Sequence, residues 1–318
     1  MGTSIKEALI SLLTELVSYQ SVSPDRSDAQ TVLTTRLAAL DFKIVEKEFF
    51  GAKCFWARLG TKAPLFVFSG HTDVVAAGDL SEWTSPPFEL QLRDGKLYGR
   101  GTADMKGGIA AMVVAAERFI AQQHGELPFS IGFLITGDEE IGGAAAKAFL
   151  AELIGKGAKI DFALVGEPSS ENVLGDTIKV GRRGSLSGKV EFKGKQGHVG
   201  YPQLADNALH QAFAPLRAIA EERWSDGGEH FDPTTLQITS VSGGVASNVI
   251  PGEAKAGFNL RFSIYNTPEK LKERVESLLR GNPNTKVSVE WSLDAEPFLT
   301  QRGELSNQVE KAIYEKLG

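Results

Sequence analysis

Four short stretches of this 318-residue chain set carboxylates and one imidazole where they could share a cation: Ser69-Gly70-His71-Thr72-Asp73, Gly101-Thr102-Ala103-Asp104, Thr136-Gly137-Asp138-Glu139-Glu140 and Val165-Gly166-Glu167-Pro168. Such a nitrogen and oxygen donor set suits zinc, and the chemistry it supports is hydrolysis. His71 and Asp73 stand two residues apart after an apolar run. On a strand both face one side, about 6.6 Å apart along its axis, so His71 can bind a metal while Asp73 holds its other ring nitrogen. Glu139 and Glu140 are adjacent and would repel unless a cation or proton separates them. With a metal present, one can ligate and the other can take a proton from water; Asp138 could compete for either role. Asp104 precedes a long apolar helix and could bridge two metals with its two oxygens, although it or Thr102 could equally cap that helix. Glu167 follows an apolar run, and Pro168 fixes the turn after it. Each stretch alone is also explained as a polar turn, but four such explanations would have to hold together.

The elements that must position these residues are legible in the periodicity. Residues 5–19, 31–40, 105–122 and 143–155 carry helical spacing. Apolar runs at 42–50, 55–59, 63–68, 129–136 and 162–165 read as strands, the last three buried. Buried strands alternating with helices predict an α/β fold with a central, mostly parallel sheet covered on both faces. Sites in such sheets gather at the carboxyl ends of strands, and three of the four stretches sit there. From about residue 184 the order becomes β-α-β-β-α-β, with strands near 185–192, 236–241, 254–262 and 287–291 and helices at 207–222 and 268–279. This is a ferredoxin-like α+β arrangement, compact enough to be an inserted domain. The expected divisions are 1–182, 183–295 and a returning segment 296–318.

Composition narrows the function. Net charge is −6, which argues against a nucleic-acid partner. The single cysteine, Cys54 beside Phe55 and Trp56, excludes an internal disulfide and reads as a small core residue. The N-terminal residues lack the shape of a signal peptide, and no apolar run suits a membrane span. The expected location is the cytoplasm.

The order His-Thr-Asp, Gly-Arg-Gly-x-x-Asp-Met-Lys-Gly, Asp-Glu-Glu, Gly-Glu-Pro resembles the co-catalytic zinc aminoacylase and carboxypeptidase family. Supporting stretches are Ser69–Val75, Gly78–Trp83, Tyr98–Gly101, Val165–Ser170, Gly181–Ser185, Gln196–His198 with Tyr201-Pro202, and Ser247–Pro251. The resemblance implies a catalytic zinc domain carrying an inserted dimerisation or lid domain, and two Zn²⁺ per subunit with Co²⁺ as a substitute. By the same token, His71 and Glu167 resemble terminal ligands of one zinc, Asp104 the bridging carboxylate and Glu140 a ligand of the second zinc. Glu139 resembles the general base and Asp73 the residue orienting His71. Arg182, Arg183, Ser185 and Asn248 resemble substrate contacts, with Arg182 the preferred arginine because a guanidinium fork matches a carboxylate. His198 resembles a histidine that reaches the neighbouring subunit's site in a homodimer.

The implied reaction is amide hydrolysis of a small N-acyl amino acid. The motifs Gly78–Trp83 and Gly181–Ser185 favour removal of succinate from N-succinyl-diaminopimelate, in lysine and cell-wall precursor synthesis. Alternatives are an acetylornithine deacetylase or other aminoacylase or dipeptidase and, in another class, a non-catalytic metal-binding or dimerising module. One expected ligand is missing. The family's last histidine lies near the C-terminus, and no histidine follows His230. The expectation is therefore a chain lacking its final portion, with an incomplete second zinc site and impaired activity.

Overall fold

A computed structural model of the chain describes residues 4–123, 127–281 and 286–318. The chain divides into two compact units, Met1–Asp176 and Thr177–Gly318.

In the first unit, Ser4 and Glu7 close a capping box that starts α1 (Ile5–Ser18), whose Leu12, Leu13, Leu16 and Val17 are buried. There follow α2 (Ala29–Ala38), β1 (Lys43–Phe49), β2 (Ala52–Leu59), β3 (Leu65–His71) and a small hairpin of β4 (Gln91–Arg93) and β5 (Lys96–Tyr98). Then come α3 (Gly107–Gln122), β6 (Ser130–Thr136), α4 (Ala144–Gly155) and β7 (Phe162–Val165). The sheet order is β1-β2-β6-β3-β7. β2 is antiparallel to both β1 and β6, while β3 is parallel to β6 and β7. Only β2 therefore opposes the other strands, and β3, β6 and β7 present their carboxyl ends along one edge.

Strand alternation builds a core on each face. Phe55, Ala57, Ile131, Phe133 and Ile135 pack with residues of α1 and α3. Cys54, Trp56, Leu65, Val67 and Leu134 pack with Ala145, Phe149 and Leu153 of α4. Every residue of β6 is buried, as a central strand covered on both sides requires. β7 differs from the expected buried strand. It lies at one end of the described sheet, its burial alternates, and Val165 is 56% exposed. Cys54 is core: burial pushes its thiol up to about 11.

The second unit contains β8 (Gly181–Arg182), β9 (Gly184–Lys193), β10 (Gly197–His198), α5 (Ala208–Glu221), β11 (Thr235–Gly243) and β12 (Val249–Ile250). It continues through β13 (Glu253–Phe262), α6 (Pro268–Leu279), β14 (Lys286–Ala295), β15 (Phe298–Leu299) and α7 (Glu304–Leu317). β9, β11, β13 and β14 form an antiparallel sheet ordered β11-β13-β9-β14. With α5 and α6 between them this is the expected β-α-β-β-α-β order. Leu186, Val190, Phe192, Phe258 and Leu260 pack with Ala212, Leu216, Leu271 and Val275 of the two helices.

One local departure matters for function. The helix expected from residue 105 begins at Gly107, because Thr102–Lys106 form an irregular turn in which Asp104 is extended (φ −120°, ψ 102°). A β-carbon at Gly108 would collide with the Gly166 carbonyl oxygen, and one at Gly107 with that of Thr102. The glycine pair thus lets the start of α3 reach the chain just before Glu167. Gly108→Ala is expected to cost about 1–3 kcal/mol, as over-packing does, and thermal unfolding measures it; an unchanged midpoint would refute this close approach.

Candidate metal centre

His71 ends β3, Glu139 and Glu140 occupy the turn Glu139–Ile141 after β6, and Glu167 follows β7 by two residues. Asp104 joins them from the irregular turn before α3. Neither Thr102 nor Asp104 caps that helix: α3 has no side-chain cap, and Thr102 Oγ1 donates to Gly99 O at 2.9 Å.

The His71 side chain is 2% exposed and is held from both ends. Nδ1 lies 2.9 Å from the Asp73 carbonyl oxygen, which can only accept, so Nδ1 carries the proton. Nε2 faces Asp104 Oδ1 at 3.1 Å and Glu167 Oε1 at 3.2 Å. Burial works to lower the ring's pKa, but hydrogen bonds to Asp73 and Glu167 and the charges of both prevail, pushing it up to about 11.

Asp73 is completely buried and does more than orient the ring. Its Oδ1 lies 3.3 Å from His71 Nδ1 and accepts from the Glu139 amide at 3.2 Å; its Oδ2 accepts from the Glu140 amide at 3.1 Å. Ser23 Oγ also donates to Oδ2, at 2.5 Å. Burial would raise the Asp73 pKa, but the bonds from His71 and Ser23 hold it below the usual carboxylate range. Asp138, the possible rival of its two neighbours, is committed elsewhere: it accepts from the Ala145 and Ala146 amides at 2.5 and 3.2 Å and so starts α4.

The carboxylates are crowded. Burial and then Glu167 push Asp104 upward, and burial and then Asp104 push Glu140 upward. A cation would relieve that repulsion. Among the described residues, two groups of donor atoms lie within 4.8 Å of one another, His71 with Glu139 and Glu167, and His71 with Asp104 and Glu140. One imidazole with several carboxylates is a donor set that fits a divalent metal. Glu139 therefore stands as close to His71 and Glu167 as a ligand would.

Sequence reasoning missed what lies behind these residues. Thr72 Oγ1 donates to the buried Asp25 at 2.7 Å, and Gln30 Nε2 donates to Thr72 Oγ1 at 3.0 Å. Lys106 is fully buried with Nζ donating to Tyr19 O at 3.0 Å; burial drives its pKa down to about 8 against the pull of Asp25 and Asp73. The polar run Ser21-Val22-Ser23-Pro24-Asp25 was the available signal.

The remaining expected residues lie in the second unit. Arg182 is exposed on β8, opposite Phe298 of β15, whereas Arg183 Nη1 donates to Pro233 O at 3.4 Å. Ser185 is buried, donating to Asp294 Oδ2 at 3.2 Å and accepting from Asn259 Nδ2 at 3.0 Å. His198 and Asn248 are exposed and adjacent: His198 pairs with Val249, and the Val199 amide donates to Asn248 O at 3.1 Å.

Residues 67–318 match Peptidase family M20/M25/M40. The chain belongs to this family. Among M20 relatives it is 47% identical over 311 residues to the succinyl-diaminopimelate desuccinylase of Herminiimonas arsenicoxydans, covering 97% of this chain and 82% of the relative. The enzyme of that name from Janthinobacterium sp. (strain Marseille) is 46% identical with the same coverage. Solved structures share the M20 fold at lower identity. Aminopeptidase PepT from Bacillus cereus has a TM-score of 0.78 at 21% identity, covering 98% of this chain and 82% of that one. The Bacillus subtilis YXEP protein, described as a dinuclear metal binding peptidase, has a TM-score of 0.73 at 15% identity, covering 98% and 80%.

Proposed function

We propose that this chain is a metal-dependent amide hydrolase that removes succinate from N-succinyl-LL-2,6-diaminopimelate. The observation that carries the hydrolase reading is the convergence of His71, Asp104, Glu139, Glu140 and Glu167 at the carboxyl ends of β3, β6 and β7. The two desuccinylases at 47% and 46% identity support the substrate. His71, Asp104, Glu140 and Glu167 would hold the metal, which when bound supplies Lewis-acid polarisation of the amide and acidifies water. Glu139 takes the proton of the attacking water and returns it to the leaving amine nitrogen. Asp73 fixes the His71 ring and, through their amides, the backbone of both glutamates. Arg182, Ser185, His198 and Asn248 are proposed substrate contacts, with the Arg182 fork on a substrate carboxylate. The inserted region 183–295 is proposed to dimerise. No described helix is long and apolar enough to cross a membrane. A cytoplasmic location is proposed separately, as the site of a small-molecule biosynthetic hydrolase. Comparing kcat/KM on succinyl- and acetyl-amino acid substrates tests the specificity; preference for the acetyl series would overturn it in favour of a deacetylase.

We propose Zn²⁺ as the metal, with Co²⁺ as substitute, in two sites of unequal strength. Both donor groups draw on His71, whose Nδ1 is committed to Asp73. Nε2 can ligate only one ion, so the second ion rests on carboxylates and binds more weakly. Two equally tight zincs per chain would contradict this.

Binding must also displace the proton that His71 keeps up to about pH 11 in the metal-free chain. The free form carries that proton and the loaded form does not, so zinc affinity should rise with pH, about tenfold per unit near neutrality. Calorimetry in buffers of different ionisation enthalpy should find about one proton released per tight ion. Absence of release would place that ion away from His71.

A further inference from the structure

The metal centre is backed by a segment that no step of the reaction touches. Between α1 and α2, residues 21–25 run beside the end of β3. Ser23 N donates to Val74 O at 3.1 Å, and Val74 N donates to Ser21 O at 2.9 Å. Ser21 Oγ donates to Thr72 O at 2.6 Å, and Asp25 N donates to Gly137 O at 2.6 Å, tying the segment also to the end of β6. From this frame one side chain reaches the carboxylate on which the site is built: Ser23 Oγ donates to Asp73 Oδ2 at 2.5 Å.

Asp73 holds two partners on each oxygen. Oδ1 faces His71 Nδ1 and accepts the Glu139 amide, while Oδ2 accepts the Glu140 amide and the Ser23 hydroxyl. Its side chain has no exposure, so water cannot replace a lost donor. Lys106, buried and donating to Tyr19 O, supplies positive charge near Asp73 and Asp25. Without the Ser23 hydroxyl, Oδ2 keeps only the Glu140 amide. The carboxylate then sits less firmly against His71 Nδ1, leaving the Asp73 carbonyl oxygen at 2.9 Å as the ring's firmer anchor and loosening the aim of Nε2 at Asp104 and Glu167.

We propose that Ser23 is a positioning residue of the metal centre, acting through Asp73 on the His71 imidazole and on the backbone of Glu139 and Glu140. The proposal rests on the reading of His71, Asp104 and Glu167 as metal ligands. Hydrogen-bond partners that orient a ligand are worth about 10–100-fold in metal affinity, and Ser23 stands one step behind such a partner.

The test is Zn²⁺ titration of the metal-free full chain against a chromophoric chelator, with thermal unfolding of the same samples. Ser23→Ala is expected to bind zinc about tenfold more weakly or worse. Ser23→Thr, which keeps a hydroxyl, should bind as the wild type does, and Ser23→Cys, with its weak S–H donor, should fall between. In an Asp73→Ala background, adding Ser23→Ala should change affinity by less than about twofold, because nothing is left for the hydroxyl to hold. If either alanine variant fails to fold, the contrast between the threonine and cysteine variants carries the test. Ser23's role is overturned if Ser23→Ala binds zinc like the wild type, if its loss persists undiminished beside Asp73→Ala, or if threonine rescues no better than cysteine. A wild-type chain that binds no zinc overturns the ligand reading itself.

Discussion

Glu139→Gln is expected to lower kcat by about 10²–10⁴-fold, the usual worth of a general base, while the chain stays folded and metal-loaded. Glutamine matches glutamate in shape but cannot take a proton. The bond that fixes this position is the backbone amide of residue 139 to Asp73 Oδ1 at 3.2 Å, which the substitution leaves intact. Glu140 is gripped through its own amide at 3.1 Å, but its carboxylate stands with His71 and Asp104. Glu140→Gln should therefore lower metal content first and activity as a consequence. Measuring kcat and bound metal on both variants separates base from ligand. If Glu139→Gln lost metal in step with activity, Glu139 would be a ligand, a place its position beside His71 and Glu167 also allows.

His71→Ala is expected to weaken zinc binding by more than the roughly 100-fold that loss of a supporting partner costs, and to abolish amide hydrolysis with it. His71 is the imidazole in both donor groups. Without it the remaining donors are carboxylates, a set better suited to harder ions. The loss also removes a partner from Asp73, while Asp104 and Glu167 lose the ring that now separates their charges. Metal analysis of the purified variant checks the outcome; near-wild-type zinc content would place the tight site elsewhere.

Much of this architecture was legible in the chain. The helix expected at 268–279 is α6, the alternation of 185–192 falls inside β9, and the β-α-β-β-α-β order of the second unit is the observed one. These elements follow local rules, because periodicity reports which face is buried and a capping residue marks where a helix starts. The turn Thr102–Lys106 does not follow them. Its Asp104 and Met105 are non-helical, and just beyond it Gly108 approaches Gly166, 58 positions away, a contact that no local rule foretells.

The sequence by itself determined the kinds of donor and, for three of the four stretches, their places at strand ends, since both depend only on residue type and on the apolar runs before them. Only the tertiary structure decided how each acid is held. Asp138, Glu139 and Glu140 are consecutive carboxylates with nothing in their order to rank them, yet one starts α4 and the other two are held by Asp73 beside His71. It also decided that Asp73 has a further keeper in Ser23, 50 residues earlier in the chain. A carboxylate's role is set by the donors within about 3 Å of its oxygens; for Asp73 those include Ser23, Glu139 and Glu140, from segments distant in sequence that meet only when the chain is folded.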